Sequence, residues 1–164
     1  MTMKKAEGIA ITPPHGRELL LQHLVLDLNG TLALDGRLIA GVEEHLARLV
    51  SVLDVHVLTA NTFGTAENLK EIKGLHVRTI SREAEGGPVK AQFVRSLGRE
   101  HSAAMGNGMN DVAMLETAAL GIAVLGPEGC AAPALMAAHI VVKDPVDGLS
   151  LLLNPLRLAA TLRR

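Results

Sequence analysis

Two kinds of pattern alternate along the chain. Short runs that are apolar almost throughout occupy residues 23–28, 55–59, 76–80, 102–105, 121–125 and 140–143. Between them, over 42–53, 65–73, 88–97, 110–120 and 131–138, apolar residues return at helical spacing, as Val42, Leu46, Leu49 and Leu53 do. Strands apolar on both sides are covered on both faces, and their alternation with amphipathic helices predicts parallel βαβ units. The expected architecture is α/β: three layers, α/β/α, around a mainly parallel open sheet of Rossmann-like type. Punctuation agrees, with Pro88 and Pro133 placed for first helical turns and Gly74, Gly98 and Gly121 placed for left-handed helix ends.

The two ends differ from this pattern. Residues 8–12 and 18–21 flank Pro13-Pro14-His15-Gly16 and predict a β-hairpin, so 1–22 reads as an N-terminal extension. The Leu-rich segment 145–164 predicts a helical tail split near Asn154-Pro155. With no linker, repeat or low-complexity tract, 1–164 reads as one domain.

Composition removes several function classes. The formal net charge is −1 and no long single-sign run occurs, which argues against an electrostatic grip on nucleic acid or an anionic membrane. Phe63 and Phe93 are the only aromatic residues among Phe, Tyr and Trp, so no stacking platform for bases is expected. No apolar stretch is long enough to span a bilayer, and no leader pattern is visible. A single cysteine, Cys130, is read as a small packing residue and fits the cytoplasm. The seven histidines stand at no short ligand spacing and read as structural or surface residues, His23 as a strand start. Met105, Met109 and Met114 read as core filling.

In an open parallel sheet the ligand site lies beyond the carboxyl ends of the strands. There the first sheet strand ends in Asp27-Leu28-Asn29-Gly30-Thr31-Leu32, the second in Thr59-Ala60-Asn61, and the fourth in Gly106-Asn107-Gly108-Met109-Asn110-Asp111, while Lys90 opens the helix after the third. Carboxylates, a hydroxyl, an ammonium and glycine-rich backbone at one rim suit phosphoryl transfer. A carboxylate nucleophile splits one hard displacement into two easier ones, and a cation, a lysine and oriented N–H donors neutralise the transferring group. Oxygen ligands without an organised histidine or thiol set point to Mg²⁺. No Gly-x-x-x-x-Gly-Lys-Ser/Thr loop or full dinucleotide fingerprint is present.

These segments, in this order over residues 23–126, resemble the four motifs of the haloacid dehalogenase superfamily of phosphohydrolases. Within it the chain is similar to small soluble proteins of P-type-ATPase-like character, on Asn29-Gly-Thr-Leu32 and the Asn110-Asp111 pair. The resemblance implies Asp27 as nucleophile and Mg²⁺ ligand, the Asn29 carbonyl as a second ligand, and Asp111 with the Asn107 amide oxygen completing the metal set. It implies Thr59, the Ala60 amide and Lys90 as holders of the phosphoryl oxygens, with Asn110 bonded to Thr59 or Asp111.

Two departures from that pattern bear on function. Asn29 stands where the family's phosphatases carry an aspartate that protonates the leaving group and activates water, and Asn107 stands where many relatives carry a further acid. Slow turnover and a metal pocket of reduced charge are expected. Intervals of 32 residues from Asp27 to Thr59 and 31 from Thr59 to Lys90 leave no room for an inserted cap domain. An open site implies a large phosphorylated substrate, or cover from a second copy of the chain or from the N-terminal hairpin, with His15, Asp35 and Arg37 as contact candidates and Phe63 at the lip. The expected activity is that of a Mg²⁺-dependent phosphatase working through an aspartyl-phosphate. The alternatives are a phosphate-binding regulatory module without turnover, or an autophosphorylating domain like that of the ion pumps.

Overall fold

In a computed structural model of the chain, residues 6–60, 64–81 and 86–164 are described. A small antiparallel hairpin, β1 (Ile9–Ile11) and β2 (Leu19–Leu21), comes first. It runs into β3 (His23–Asp27), which is followed by a second hairpin, β4 (Ala33–Leu34) and β5 (Arg37–Leu38), and by α1 (Val42–Leu49). Then come β6 (Asp54–Thr59), α2 (Thr65–Leu69), β7 (Leu75–Thr79), α3 (Gly86–Leu97) and β8 (Ser102–Gly106). The chain ends with α4 (Val112–Thr117), β9 (Leu120–Val124), α5 (Ala132–Ala137), β10 (Ile140–Val142), α6 (Pro145–Leu152) and α7 (Pro155–Thr161).

Six strands form the central sheet in the order β10-β9-β8-β3-β6-β7, and every neighbouring pair is parallel. Successive residues of β3 face opposite sides: Leu24 and Leu26 join α1, α2, α6 and α7 in one core, and Val25 joins α3, α4 and α5 in the other. This is the expected three-layer α/β/α arrangement. The chain's progression reverses at β3, with β6 and β7 to one side and β8, β9 and β10 to the other. A crevice is therefore expected between the carboxyl ends of β3 and β8.

Three local expectations change. Gly121 ends no helix; it lies within β9, where an added Cβ would stand 2.6 Å from the Leu115 carbonyl oxygen, so its small size serves a close approach. Met109 is 65% exposed, whereas Met105 and Met114 are buried as expected. The N-terminal hairpin cannot cover the site mouth, because it sits at the amino ends of the strands: Gly8 N–H donates to the Val52 carbonyl and Gln22 N–H to the His101 carbonyl, both just before sheet strands. The second hairpin, absent from the pattern reading, turns on Asp35 and Gly36, both at positive φ. Asp-Gly is a strong signal for such a tight turn, and its two-residue strands are too short to show alternation.

Candidate functional site

The Lys90 ammonium is enclosed between two carboxylates. Its Nζ lies 2.8 Å from Asp27 Oδ1 and 2.7 Å from Asp111 Oδ1, and the lysine is 1% exposed. Asp27 closes β3, Lys90 stands in the first half of α3, and Asp111 ends a single 3₁₀ turn (Met109–Asp111) after β8. The second Asp111 oxygen accepts the backbone N–H groups of Asn107 and Gly108, each at 3.0 Å. Thr31 bridges the two halves of the crevice, its hydroxyl within 3.0 Å of Asp27 Oδ2 and 3.1 Å of Asn107 Oδ1. The Asn107 amide donates in turn to the Gly129 carbonyl at 2.9 Å.

Sequence makes this closeness possible at two glycines. Gly30 has φ of +79°, and a Cβ there would stand 2.6 Å from Glu128 Oε2 and 2.8 Å from Asn107 Nδ2. Gly106 is extended, but a Cβ there would overlap the Asp111 carboxylate at 2.4 Å. Residues 28–33 are wound tightly, with the Leu28 carbonyl accepting from Thr31, Leu32 and Ala33.

Burial, then the neighbouring Asp111, push the Asp27 carboxyl up to about 6 against the pull of Lys90. Burial works to lower Lys90, but Asp27 and then Asp111 overcome it and hold the ammonium above its ordinary value. One lysine thus leaves a buried pair of acids under-compensated. Asp27, Asp111 and the Asn107 amide offer hard oxygen donors in a pocket with surplus negative charge, and this fits a divalent cation of the Mg²⁺ type.

The structure brings together Asp27, Lys90, Asn107 and Asp111. Thr59 is buried at the carboxyl end of β6, next to Asp27 in register through Leu58, with Ala60 exposed after it. Asn29 is exposed in the loop beyond Asp27. Asn110 is exposed beside Gly86 and Gly108. Asp35 and Arg37 are exposed on the second hairpin, which Thr65 joins to α2 by donating to the Gly36 carbonyl. His15 is exposed on the N-terminal hairpin, at the far end of the sheet. Phe63 lies outside the described residues. Cys130 is half-buried shortly before α5, packed against the α3, α4 and α5 core.

Pattern reading gave no role to Thr31 or Glu128. Thr31 was visible as part of the first motif, but its bond to Asn107, 76 residues away, depends on the β3–β8 pairing. Glu128 carries no local signal; only the fold of the loop after β9 places its carboxylate over Gly30.

Comparison with known proteins agrees with this geometry. The family profile of the haloacid dehalogenase-like hydrolases matches residues 94–145, the segment that contains Asn107 and Asp111. An uncharacterised protein of Methanocaldococcus jannaschii is 41% identical over 90 residues, which are 51% of this chain and 97% of that protein. Among solved structures, the chain is similar to the 3-deoxy-D-manno-octulosonate 8-phosphate phosphatase of Moraxella catarrhalis, solved with magnesium, phosphate and sugar. The TM-score is 0.62, with 18% identity, 82% of this chain and 87% of that one covered. The cobalt-bound counterpart from Haemophilus influenzae matches with TM-score 0.59 and 13% identity over 82% of this chain and 88% of that one. An apo phosphoserine phosphatase matches with TM-score 0.60 and 16% identity over 79% of this chain and 98% of that one. At such identities the likeness is one of fold. Residues 94–145 match the haloacid dehalogenase-like hydrolases, and the fold as a whole is similar to that of these solved phosphatases.

Proposed function

We propose that the protein is a Mg²⁺-dependent phosphohydrolase that works through an aspartyl-phosphate on Asp27, as one catalytic domain over residues 1–164. The observation that carries this reading is the buried Lys90 ammonium held between Asp27 and Asp111 at the carboxyl ends of β3 and β8. An Asp27 oxygen attacks phosphorus, the bond from phosphorus to the leaving oxygen breaks, and that oxygen departs with the electron pair. Water then attacks phosphorus and releases Asp27 and inorganic phosphate. Lys90, the Thr59 hydroxyl and the Ala60 N–H offset charge on the phosphoryl oxygens, and Thr31 orients Asp27. Asp27, the Asn29 carbonyl, Asn107 and Asp111 would hold Mg²⁺, which when bound supplies electrostatic neutralisation of the transferring group.

Asn29 has neither a proton to give the leaving group nor basicity to take one from water. General acid–base catalysis contributes roughly 10²–10⁴-fold, so turnover is slow and good leaving groups suffer least. The exposed rim, without an inserted domain among the described residues, suits a large phosphorylated substrate or cover by a second copy of the chain. A cytoplasmic setting fits the lone cysteine and the absence, among the described residues, of any helix long and apolar enough to cross a membrane.

A second reading, a phosphate-binding regulatory module, is favoured by the same two asparagines. Phosphate release from p-nitrophenyl phosphate and acetyl phosphate, with and without Mg²⁺, separates the readings. Turnover that vanishes in Asp27→Asn supports the phosphohydrolase; phosphate binding without turnover supports the module. A phosphoenzyme formed from ATP would instead give the chain the pump-like chemistry its motifs resemble.

A further inference from the structure

Three of the histidines converge at the opposite end of the sheet. The pairing of β3 with β6 sets His23 beside Asp54, and that of β6 with β7 sets His56 beside His76. His56 follows Asp54 by two residues, so both face the same side of the sheet. Asp54 Oδ2 is 3.4 Å from His23 Nδ1 and 3.2 Å from His56 Nε2, while Asp54 Oδ1 is 3.0 Å from His76 Nε2. The ligand atoms of His23, Asp54 and His56 all lie within 4.8 Å of one another.

These contacts are not good hydrogen bonds. His56 is 2% exposed, and both of its ring nitrogens, together with His23 Nδ1, are buried without a hydrogen-bond partner. Buried polar atoms nearly always find one, so the two that face Asp54, His23 Nδ1 and His56 Nε2, call for an explanation. Tetrahedral zinc, with ligand atoms at about 2.0–2.2 Å, separates them by about 3.3–3.6 Å, close to the spacing of Asp54 Oδ2 from the two ring nitrogens.

We propose that His23 Nδ1, Asp54 Oδ2 and His56 Nε2 form a binding site for a zinc-class divalent transition-metal ion, with His76 bracing the carboxylate through its other oxygen. Two imidazoles and one carboxylate select such an ion over Mg²⁺, which prefers oxygen ligands. Burial pushes His56 down to about 4, so its ring is neutral and keeps a lone pair at neutral pH. Entry is open from one side, where the Asp54 and His76 side chains are 39% and 37% exposed. His76 stacks on His56 with centroids 4.9 Å apart, and Phe93 meets the same His56 ring edge-on at 5.2 Å, so the His56 ring plane is held before metal arrives.

The ion would tie the amino ends of β3 and β6 together. It would also reach the phosphoryl site mechanically, because Phe93 lies on α3 one turn beyond Lys90. This site is separate from that of the proposed phosphatase reaction and stands or falls without it.

The test is zinc titration of the tag-free, chelator-stripped full chain against a chromophoric competitor, with millimolar Mg²⁺ present to fill the phosphoryl site. Visible absorption of the cobalt-loaded chain reports tetrahedral coordination in parallel. One zinc per chain is expected, weakened at least 100-fold in Asp54→Asn and His56→Gln, about 10-fold in His76→Gln, and unchanged in Asp111→Asn. If His56→Gln does not fold, the half-buried His23→Gln carries the same expectation. No stoichiometric zinc on the folded chain overturns the proposal. So does zinc that survives Asp54→Asn and His23→Gln, or that leaves in Asp111→Asn, since the ion would then lie elsewhere.

Discussion

The Lys90 ammonium and the Asp27 carboxylate, 63 residues apart in sequence, meet at 2.8 Å, both buried. Removing one partner of a buried ion pair leaves the other uncompensated, at a cost of about 3–5 kcal/mol. Lys90→Met leaves Asp27 and Asp111 facing each other, and we expect the metal-free protein to lose stability on that order. Urea unfolding at pH 7 measures it, and a loss below about 1 kcal/mol would contradict this view of the pocket.

Divalent cation binding should stabilise the chain through the same acids. An ion that binds only the folded state at 100 times its Kd adds about 2.7 kcal/mol. Mg²⁺ is therefore expected to raise Tm in the native protein and to have little effect on Asp111→Asn. Glu128 lies against Gly30 and Asn107, so Glu128→Gln should weaken Mg²⁺ several-fold by removing one charge from the rim. Calorimetric titration checks both.

Gly106→Ala adds one methyl group where the Asp111 carboxylate already stands, 2.4 Å from the new carbon. Overpacking of this kind costs about 1–3 kcal/mol. The displaced Asp111 should also release the N–H groups of Asn107 and Gly108, so activity falls more than stability does. Equal rates in Gly106→Ala and native protein would mean that Asp111 is not needed where it stands.

Stability against pH separates the two buried clusters. His56, lowered to about 4, binds its proton more readily in the unfolded chain. Its contribution is complete above about 6.5 and is lost as pH falls through that value toward 4, on the order of 3 kcal/mol in all. Asp54, held low by His56 and then His76 against the effect of burial, acts in the same direction at lower pH; His23, His76 and Arg78 are the other titratable or charged groups close by. Asp27, raised to about 6, has the opposite sign and loses stability as pH rises from about 4 to 6. The metal-free native protein should thus show a shallow profile between pH 4.5 and 6.5, whereas Asp27→Asn falls steadily as pH drops. Adding His56→Leu to Asp27→Asn should flatten the profile again.

The sheet was legible because its strands are apolar throughout and its helices carry clear stripes: Val42, Leu46, Leu49 and Leu53 are all buried. Helix ends were less so; α1 stops at Leu49, before the stripe does, because the chain must turn to enter β6. Asp27, Lys90, Asn107 and Asp111 were readable because each closes a strand or opens the element that follows one. The Thr31–Asn107 contact, the place of Glu128 and the histidine cluster were not, because strand register and loop placement create them. His23, Asp54 and His56 have the spacing of no local motif, and their adjacency follows only from the pairing of β3 with β6.

The phosphohydrolase reading turns on whether Asp27 acts and Asn29 limits it. The most direct measurement is the Mg²⁺-dependent rate on an alkyl and an aryl phosphate for the native chain, Asp27→Asn and Asn29→Asp. We predict that Asp27→Asn abolishes turnover, and that Asn29→Asp raises it by about 10²-fold or more on the alkyl ester, with a smaller gain on the aryl one. An Asn29→Asp rate equal to that of the native chain on both esters, or turnover that survives Asp27→Asn, would contradict it.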